Sequence, residues 1–424
     1  MARLIAACLL ALGLAVLPCV LAAQSRLTLV PSASVSSVYD DNLFAKANGS
    51  GDQMTLISPG LEASLETPRI MLTGISSFDM QRSLDHPSLN HAMARRHAIV
   101  DTRFHLSPRW TVGAAGRYDM TETAGELFVL SGPLLDRRRA ARWEGGPSFD
   151  YRASPRVVIS GLYNWISESV EGSVGGQEQV GRFGVSRQTT PRTSLGGSML
   201  TRRFESASEA FVPSGLPMSE VFGDVTTFSD GFAVARGGTF VSVAPLFAWS
   251  YEVAPATQIS VQAGPRYSTA VDGFRPEIAA GIGRKVPNIV NYGIDYWRGE
   301  SIILGVLGPA EVNSATARVT TPLRPNLELG MFGGLFNSQT LSQGKVRVYH
   351  AEVVASWASR GPFIVAASYG ADFQRGDVRS SLLSDTHVIR HVILVRLTAA
   401  PRLTKTFQPN DPVQPLGTPT KGVK

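Results

Sequence analysis

The chain has 424 residues, of which 17% are charged and 43% hydrophobic, with a formal net charge of +6. The charged fraction lies below the roughly 25% of ordinary soluble domains. A mean hydropathy of +0.03 is too low for a bundle of transmembrane helices and too high for a disordered chain. All but six of the 40 basic residues are arginines. Because they are dispersed along the chain, the basic pI of 9.4 does not indicate nucleic-acid binding.

Residues 1–23 are predicted to be a secretory signal peptide. Arg3 supplies the early positive charge, an apolar run extends from Leu4 to Val20, and small residues follow. The apolar run is shorter than the roughly 20 residues that a membrane anchor needs. Both cysteines, Cys8 and Cys19, lie inside this segment. The exported chain is therefore predicted to contain no disulfide bond, and no later apolar stretch is long enough for a transmembrane helix.

Short proline-containing turns recur along the rest of the chain at intervals of roughly 40 residues. The predicted turns lie at Pro68, Pro108, Pro155, Pro191, Pro255, Pro287, Pro322 and Pro362. Segments of about 10 to 13 residues flank each turn, and apolar and polar side chains alternate along them. After Pro108, for example, Trp110, Val112, Tyr118 and Met120 alternate with Thr111, Arg117 and Asp119. A period of two indicates strands with one apolar and one polar face.

These features predict an all-β fold: a transmembrane, antiparallel, up-and-down β-barrel. Eight proline turns join sixteen strands, and one further strand is predicted at each end, near Ser32–Tyr39 and His387–Thr398. The total is about 18 strands, within a range of 16 to 18. The proline turns are predicted to be periplasmic, and the longer polar connections, such as Glu122–Arg139 and Glu205–Gly238, extracellular. A soluble propeller or solenoid is the alternative, but its exposed apolar faces would aggregate in water.

The start of the exported chain carries a more specific pattern. It reads Tyr39-Asp40-Asp41-Asn42-Leu43-Phe44, then Ser58-Pro59-Gly60-Leu61 and Thr67-Pro68-Arg69. This resembles the outer-membrane β-barrel porins found beside exopolysaccharide-export loci (EpsL-like). The resemblance is clearest over residues 31–121. Beyond them, only the regular spacing of the proline turns is shared. It implies an outer-membrane barrel that passes or guides polysaccharide.

The end of the chain departs from that resemblance. Barrels of this kind usually finish in a strand with a terminal aromatic residue, whereas here the last predicted strand is followed by a Pro-rich segment to Lys424. We therefore predict a barrel over residues 24–400 and a disordered periplasmic tail over residues 401–424. The tail could dock a periplasmic export partner.

No motif for catalysis or for a cofactor is present, so the chain is predicted not to be an enzyme. His387 and His391 are four residues apart, which on a strand is about 13 Å and too far to share one metal ion. The sequence Asp40-Asp41-Asn42 lacks the remaining ligands of a calcium loop. We expect a solvated turn there, and no metal or cofactor.

Eighteen strands leave room for a water-filled lumen, and charges of both signs fall on the polar parity of the strands. The predicted pore-lining residues are Arg95, Arg103, Arg117, Asp119, Arg142, Glu144, Asp150, Arg152, Arg182, Arg202, Arg266, Asp295, Glu352, Asp372 and Arg390. In one interpretation these side chains pair and hydrate a polar interior. In the other, the surplus of arginine favours anions or acidic sugars.

Three functions remain open at this point. The first is a porin-like channel in the outer membrane for polysaccharide or small anionic solutes. The second is a non-conducting structural or accessory barrel of a polysaccharide export system. The third is a barrel-embedded enzyme or adhesin that acts through the connection Glu205–Gly238. Outer-membrane lipid is an expected partner in each case, and nucleic acid in none.

Overall fold

A computed structural model describes residues 25–122, 137–171, 175–205, 238–271, 273–286, 289–301, 309–339, 345–376 and 387–401 with their side chains. For residues 206, 210–213, 225–227, 232–235, 302 and 403–407 it describes the course of the backbone. Within these ranges, no helix is both long and apolar enough to cross a membrane.

Eighteen antiparallel strands form a closed barrel, as predicted. Nine precede the longest connection: β1 (Ser25–Asp40), β2 (Asp52–Glu66), β3 (Ile70–Ser83), β4 (His91–His105), β5 (Trp110–Thr121), β6 (Ala140–Ser154), β7 (Val157–Val170), β8 (Gly176–Thr190) and β9 (Thr193–Ser206). Nine follow it: β13 (Thr239–Ala254), β14 (Thr257–Ser268), β15 (Gly273–Arg284), β16 (Asn291–Ile302), β17 (Pro309–Arg324), β18 (Leu327–Gln339), β19 (Lys345–Ala358), β20 (Phe363–Gly376) and β21 (His387–Ala399).

The barrel closes where the first strand pairs with the last. Ala33–Asp40 of β1 lies antiparallel to Val392–Ala399 of β21. A short strand, β22 (Leu403–Phe407), continues this pairing along Ser25–Leu29. These five residues belong to the segment predicted to be a disordered tail, so disorder was the wrong expectation for them. They form a strand because β1 is longer than β21 and leaves its first residues to be paired. Residues 408–424 lie outside the described residues.

Short turns join the strands at one end of the barrel, here called the turn side. Five of the predicted Pro turns share one local structure, in which a Ser or Thr hydroxyl accepts the backbone N–H two residues later. The bonds run from Arg69 to Thr67 (3.3 Å), Arg109 to Ser107 (3.2 Å), Arg156 to Ser154 (3.3 Å), Arg192 to Thr190 (3.2 Å) and Gly361 to Ser359 (3.1 Å). In four of these turns a proline lies between the hydroxyl residue and the arginine, so the hydroxyl and the fixed φ of proline together explain the recurring Ser/Thr-Pro-Arg sequence. In the fifth, Pro362 follows Gly361 instead.

One predicted turn is misplaced. Pro322 lies within β17, and the turn to β18 is formed by Pro325 and Asn326. The prediction failed because two prolines occur three residues apart. The pairing of β17 with β18 is irregular between Pro322 and Arg324, and such an irregularity tolerates a residue without an N–H. Pro287, another predicted turn, lies outside the described residues.

The opposite end, here called the loop side, carries the longer connections. They include 122–139 and 207–238, close to the predicted Glu122–Arg139 and Glu205–Gly238. Within the second of these, β10 (Ala210–Pro213), β11 (Val225–Thr227) and β12 (Phe232–Ala235) form a small sheet in the order β10-β12-β11. A 3₁₀ turn (Pro87–Leu89) lies between β3 and β4. The barrel strands are 12 to 16 residues long, longer than predicted, because many extend past the apolar belt.

The outward face carries an apolar belt with aromatic residues at both rims. On β19, outward residues run from Tyr349 to Trp357, and both rings are exposed. Eight residues span about 27 Å along the strand, or about 20 Å across a membrane after a tilt of roughly 40°. At the turn side, Trp110 stacks on Tyr151 with ring centroids 4.6 Å apart. A closed barrel with this belt is the architecture of outer-membrane β-barrels.

The segment after β1 holds the first and last strands together. Arg390 Nη2 donates to Asp40 Oδ2 at 2.6 Å, and Asn42 Nδ2 donates to the carbonyl of Ile389 at 2.8 Å. The N–H of His391 donates to Asp41 Oδ1 at 2.6 Å. Asp40 is only 1% exposed, so the prediction of a solvated turn was wrong. The three polar residues instead bond the backbone and the arginine of β21, which a reading of local sequence could not show.

Replacing Asp40 with Ala should lower the free energy of unfolding by about 3 kcal/mol, because it removes the carboxylate from a largely buried arginine. Guanidinium titration in detergent micelles measures this. The control is Asp101→Ala, which breaks the exposed pair with Arg103 (3.4 Å) and should cost no more than about 1 kcal/mol. Equal losses in the two variants would contradict a special role for Asp40.

Candidate functional site: the interior of the barrel

Contacts between strands that are not neighbours identify the inner face. Arg202 Nη2 on β9 donates to Glu277 Oε1 on β15 at 2.7 Å, although β13 and β14 lie between these strands. Gln262 Nε2 on β14 donates to Ser198 Oγ on β9 at 3.0 Å across β13. Side chains can bridge intervening strands only across the concave side of a barrel. The parity that contains these residues therefore faces inward.

Strand register places all fifteen predicted pore-lining residues on this inner face. On neighbouring strands Arg117 is opposite Glu144 and Asp119 is opposite Arg142. His350 is opposite Asp372, which in turn is opposite Arg390. That these residues line a path for solutes stays a prediction.

Most of the predicted arginines have a carboxylate partner. The pairs are Arg95–Asp79, Arg103–Asp101, Arg117–Asp119, Arg142–Glu144, Arg142–Glu168, Arg202–Glu277, Arg266–Glu277, Arg266–Glu311 and Arg390–Asp40. Among the described residues, Arg152 and Arg182 have none, and both are exposed. The predicted pore-lining set is therefore largely neutralised, and its unpaired positive charges lie on β6 and β8. Outside that set, Arg318 on β17 and Arg396 on β21 also face inward and are exposed, with no ion pair among the described residues.

Charges that are largely buried form a cluster at the loop side, here called the mouth cluster: Arg202, Arg266, Glu277, Glu300 and Glu311. Glu277 accepts from both arginines, with Arg266 Nη1 at 2.8 Å from Oε2. Arg266 also contacts Glu311, and its Nε lies 3.8 Å from Glu300 Oε2. Arg266 is 1% exposed. Such burial of charge is tolerated only where the partners are close and well placed.

Two members of the mouth cluster, Glu300 and Glu311, occupy alternate positions whose side chains point outward along the rest of their strands. Glu300 and Glu311 are opposite each other on β16 and β17, and a count of alternating residues assigns them to the outer face. However, β15 pairs with β16 only as far as Ile278 and Arg298. Where this pairing stops, both carboxylates contact Arg266, whose backbone lies on β14. Sequence reasoning missed them because the end of a strand pairing leaves no local signal.

A second group of ion pairs continues the mouth cluster along the wall. Arg142 Nη1 lies 3.1 Å from Glu168 Oε1 and Nη2 lies 3.0 Å from Glu144 Oε2. Asn164 Nδ2 donates to Glu144 Oε1 at 2.8 Å. Arg202 Nε lies 3.9 Å from Glu178 Oε1, which joins this group to the mouth cluster. The interior from β6 to β17 thus carries one layer of ion pairs near the loop side.

Loop residues occupy the other part of the mouth. Leu43 packs with Val38, Met54 and Leu56 in a buried apolar cluster. From the connection after β5, Arg137 Nη2 donates to Gln81 Oε1 at 3.0 Å, and its Nη1 lies 3.7 Å from Met54 Sδ. Because Met54 and Gln81 belong to the inner face, these loops fold inward over the first three strands.

The turn-side half of the interior differs from the mouth. Many of its inward side chains are polar and exposed rather than packed, and they carry both signs of charge, although a few apolar residues such as Met71 and Ile75 also face inward. They include Glu62, Arg103, Arg152, Glu328 and Arg396, while Arg182 lies midway along β8 between this part and the mouth. The interior therefore consists of an exposed, charged part on the turn side, here called the vestibule, and a packed, ion-paired mouth on the loop side.

Comparisons with known proteins add the following findings. No family model matches the chain, and no curated protein matches its sequence. Among solved structures, it is similar to the FrpB iron transporter from Neisseria meningitidis, with 7% identity, a TM-score of 0.43 and 84% of this chain covered. The chain spans 64% of the length of FrpB.

The chain covers a larger share of two structures from Pseudomonas aeruginosa than it does of FrpB. OpdQ shows 8% identity and a TM-score of 0.42, with 90% of this chain and 99% of that chain covered. OccK11 (OpdR) shows 10% identity and a TM-score of 0.42, with 89% and 96% covered. Similarities of this size do not connect the chain to the function of any of these proteins. None of these structures links the chain to exopolysaccharide export. The resemblance to EpsL-like barrels therefore stays a prediction from sequence.

The histidines do not form a metal site. His391 faces outward, and its Nδ1 lies 2.8 Å from the hydroxyl of Tyr369. His350 and His97 face inward and contact Asp372 and Asp119 at 2.6 Å and 2.5 Å. Within the described ranges, no three His, Cys, Asp or Glu side chains are grouped closely enough to hold a metal ion.

Substituting Glu277→Gln should lower the free energy of unfolding by about 3 kcal/mol, because two buried arginines lose the carboxylate between them. Chemical denaturation in micelles measures the loss. Glu352→Gln is the matched control, since Glu352 is also on the inner face but forms no ion pair among the described residues. If Glu277→Gln is as stable as this control, the mouth cluster does not hold the wall together.

Proposed function

We propose that this barrel is a passive pore of the outer membrane for small hydrophilic solutes, with a preference for anions. The observation that carries the proposal is the exposed, polar inner face of the turn-side half. An inner wall of charged side chains is stable only in contact with water, because burial of unpaired charge costs several kcal/mol. An 18-stranded barrel is also wide enough to enclose an aqueous channel.

Two unpaired arginines support the preference for anions. Arg152 on β6 and Arg182 on β8 project inward without a carboxylate partner among the described residues. The paired arginines contribute little, because their neighbours cancel their charge. Selectivity is thus expected to be weak and to depend on unpaired inward arginines such as these two rather than on the overall excess of arginine.

The packed mouth would limit what can pass. The ion-paired layer and the inward loops favour ions and short saccharides over a polymer of large cross-section. Acidic sugars fit both the unpaired arginines and the resemblance to barrels encoded beside exopolysaccharide loci. Guidance of a whole polysaccharide chain, which that resemblance implies, would require the inward loops to move aside.

A second candidate is an accessory barrel that does not conduct. The packed mouth favours it, since buried ion pairs and inward loops could close the lumen. In that case the segment after Pro401 would bind a periplasmic partner of an export system. An adhesin or enzyme that acts through Glu205–Gly238 has no such support, because that connection lies largely outside the described side chains.

Planar-bilayer recording separates the two candidates. The wild-type barrel should give stable single-channel currents with a reversal potential that indicates weak anion preference. The double variant Arg152→Glu/Arg182→Glu should reverse that preference toward cations, because it replaces two positive charges on the inner face with two negative ones. Arg187→Glu is the control, since Arg187 lies on β8 at the outward parity. A barrel that inserts but stays silent would favour the accessory role.

The saccharide part of the proposal has its own test. A short oligoglucuronate added on the turn side should block the wild-type current more strongly than a maltooligosaccharide of the same length. The difference should disappear in the double variant, because the attraction depends on Arg152 and Arg182. Equal block by the two saccharides in the wild type would contradict a preference for acidic sugars while leaving conduction intact.

A further inference from the structure

The outward face of six successive strands carries an unbroken polar row at the loop side, here called the basic row. Each member is opposite the next in the strand register. The row is Arg298, Asn313, Asn337, Arg347, Arg375 and His387, on β16 to β21. It contains three arginines and a histidine but no carboxylate.

The centre of the row places like charges side by side. Arg347 on β19 is directly opposite Arg375 on β20, and Arg375 is opposite His387 on β21. Like charges opposite each other destabilise a sheet. Among the described residues, neither arginine has a carboxylate within ion-pair distance, and both are exposed.

Other outward arginines near the loop side differ from this pair. Arg203 contacts Glu205, and Arg298 Nε lies 3.0 Å from Glu311 Oε1. Arg82 is exposed and stands alone, opposite Thr55. No carboxylate among the described residues compensates the adjacent charges of Arg347 and Arg375, so this part of the outer wall is suited to an anion bound from outside.

Immediately toward the turn side, the surface becomes apolar. The next outward positions toward the turn side, two residues from the basic row, are Tyr349, Phe373 and Ile389. The ring centroids of Phe373 and His387 are 5.2 Å apart. The next row holds small side chains: Ala317, Gly333, Ala351 and Ala371. These small residues and their larger neighbours line a groove of about 530 Å³ on the outer wall.

We propose that the outer wall of β18 to β21 binds one phosphate-bearing, acylated lipid of the extracellular leaflet. Arg347, Arg375 and His387 bind the phosphate, Tyr349 and Phe373 lie at the level of the glycolipid backbone, and an acyl chain fills the groove. The order of charged, aromatic and small residues along each strand matches the order of headgroup, interface and acyl chain in such a lipid. The groove begins within about 13 Å of the arginines, which one amphiphile can span.

A second copy of the chain fits this surface less well. A two-fold contact through the same wall would bring two basic rows together, because an isologous interface repeats the same patch. The inference depends on the placement of the barrel in the outer membrane and not on conduction. A silent barrel would leave it intact.

The test is binding of bis-phosphorylated lipid A to the purified full-length barrel in detergent, followed by native mass spectrometry. One lipid should stay bound to the wild type, with at least tenfold weaker binding of lipid A from which both phosphates have been removed. Arg347→Ala/Arg375→Ala should weaken binding of the phosphorylated form at least tenfold. Arg82→Ala, which removes a lone outward arginine, should leave it unchanged.

A further pair of variants tests the groove. Ala351→Leu fills it and should weaken lipid A binding several-fold, whereas Ala355→Leu, outward on the same strand but outside the groove, should not. Inorganic phosphate should fail to compete at millimolar concentration, since it cannot use the groove. Unchanged binding in the double arginine variant, equal binding of the dephosphorylated lipid, or full competition by inorganic phosphate would each overturn the proposal. For every variant, a change in gel-electrophoretic migration between unheated and heated samples checks that the barrel is folded.

Discussion

The structure depends on one constraint: inside a bilayer, every backbone N–H and C=O needs a partner, since each unpaired group costs several kcal/mol. Antiparallel strands meet this requirement only if the sheet closes on itself. Closure therefore depends on the join between β1 and β21, whose partners are more than 350 positions apart in the chain. Asp40 and Asn42 reinforce this join through Arg390 and the carbonyl of Ile389. Their sequence neighbourhood, Tyr-Asp-Asp-Asn-Leu-Phe, thereby gains a structural explanation.

Closure divides the side chains into two environments by parity alone. Outward residues form the apolar belt, and inward residues divide again along the barrel axis. Near the turns, inward charges such as Arg152 are exposed. Near the loops, Glu277 and its two arginines are buried. In the proposed pore, passage of solutes and control of passage would belong to different parts of one lumen, and the basic row on the outer wall is independent of both.

Much of this was predictable from sequence because a strand has a strict period of two. The alternation after Pro108 predicted both the strand and the inward direction of Arg117 and Asp119, and the Ser/Thr-Pro-Arg sequences predicted most of the turns. Contacts between distant strands were not predictable. The burial of Asp40, the inward loop that carries Arg137, and the approach of Glu300 and Glu311 to Arg266 all depend on tertiary position. Pro322 was misread because Pro325 three residues later makes the turn.

The central claim is that the barrel separates water inside from lipid outside by strand parity, and cysteine scanning tests it most directly. Both native cysteines lie in residues 1–23, so single cysteines can be placed along β8 without interference once the predicted signal peptide is removed. In reconstituted vesicles, Arg182→Cys should react with a charged, membrane-impermeant thiol reagent, and Phe183→Cys should react only with a lipid-soluble one. Reaction of both positions with the charged reagent, or of neither, would contradict the account.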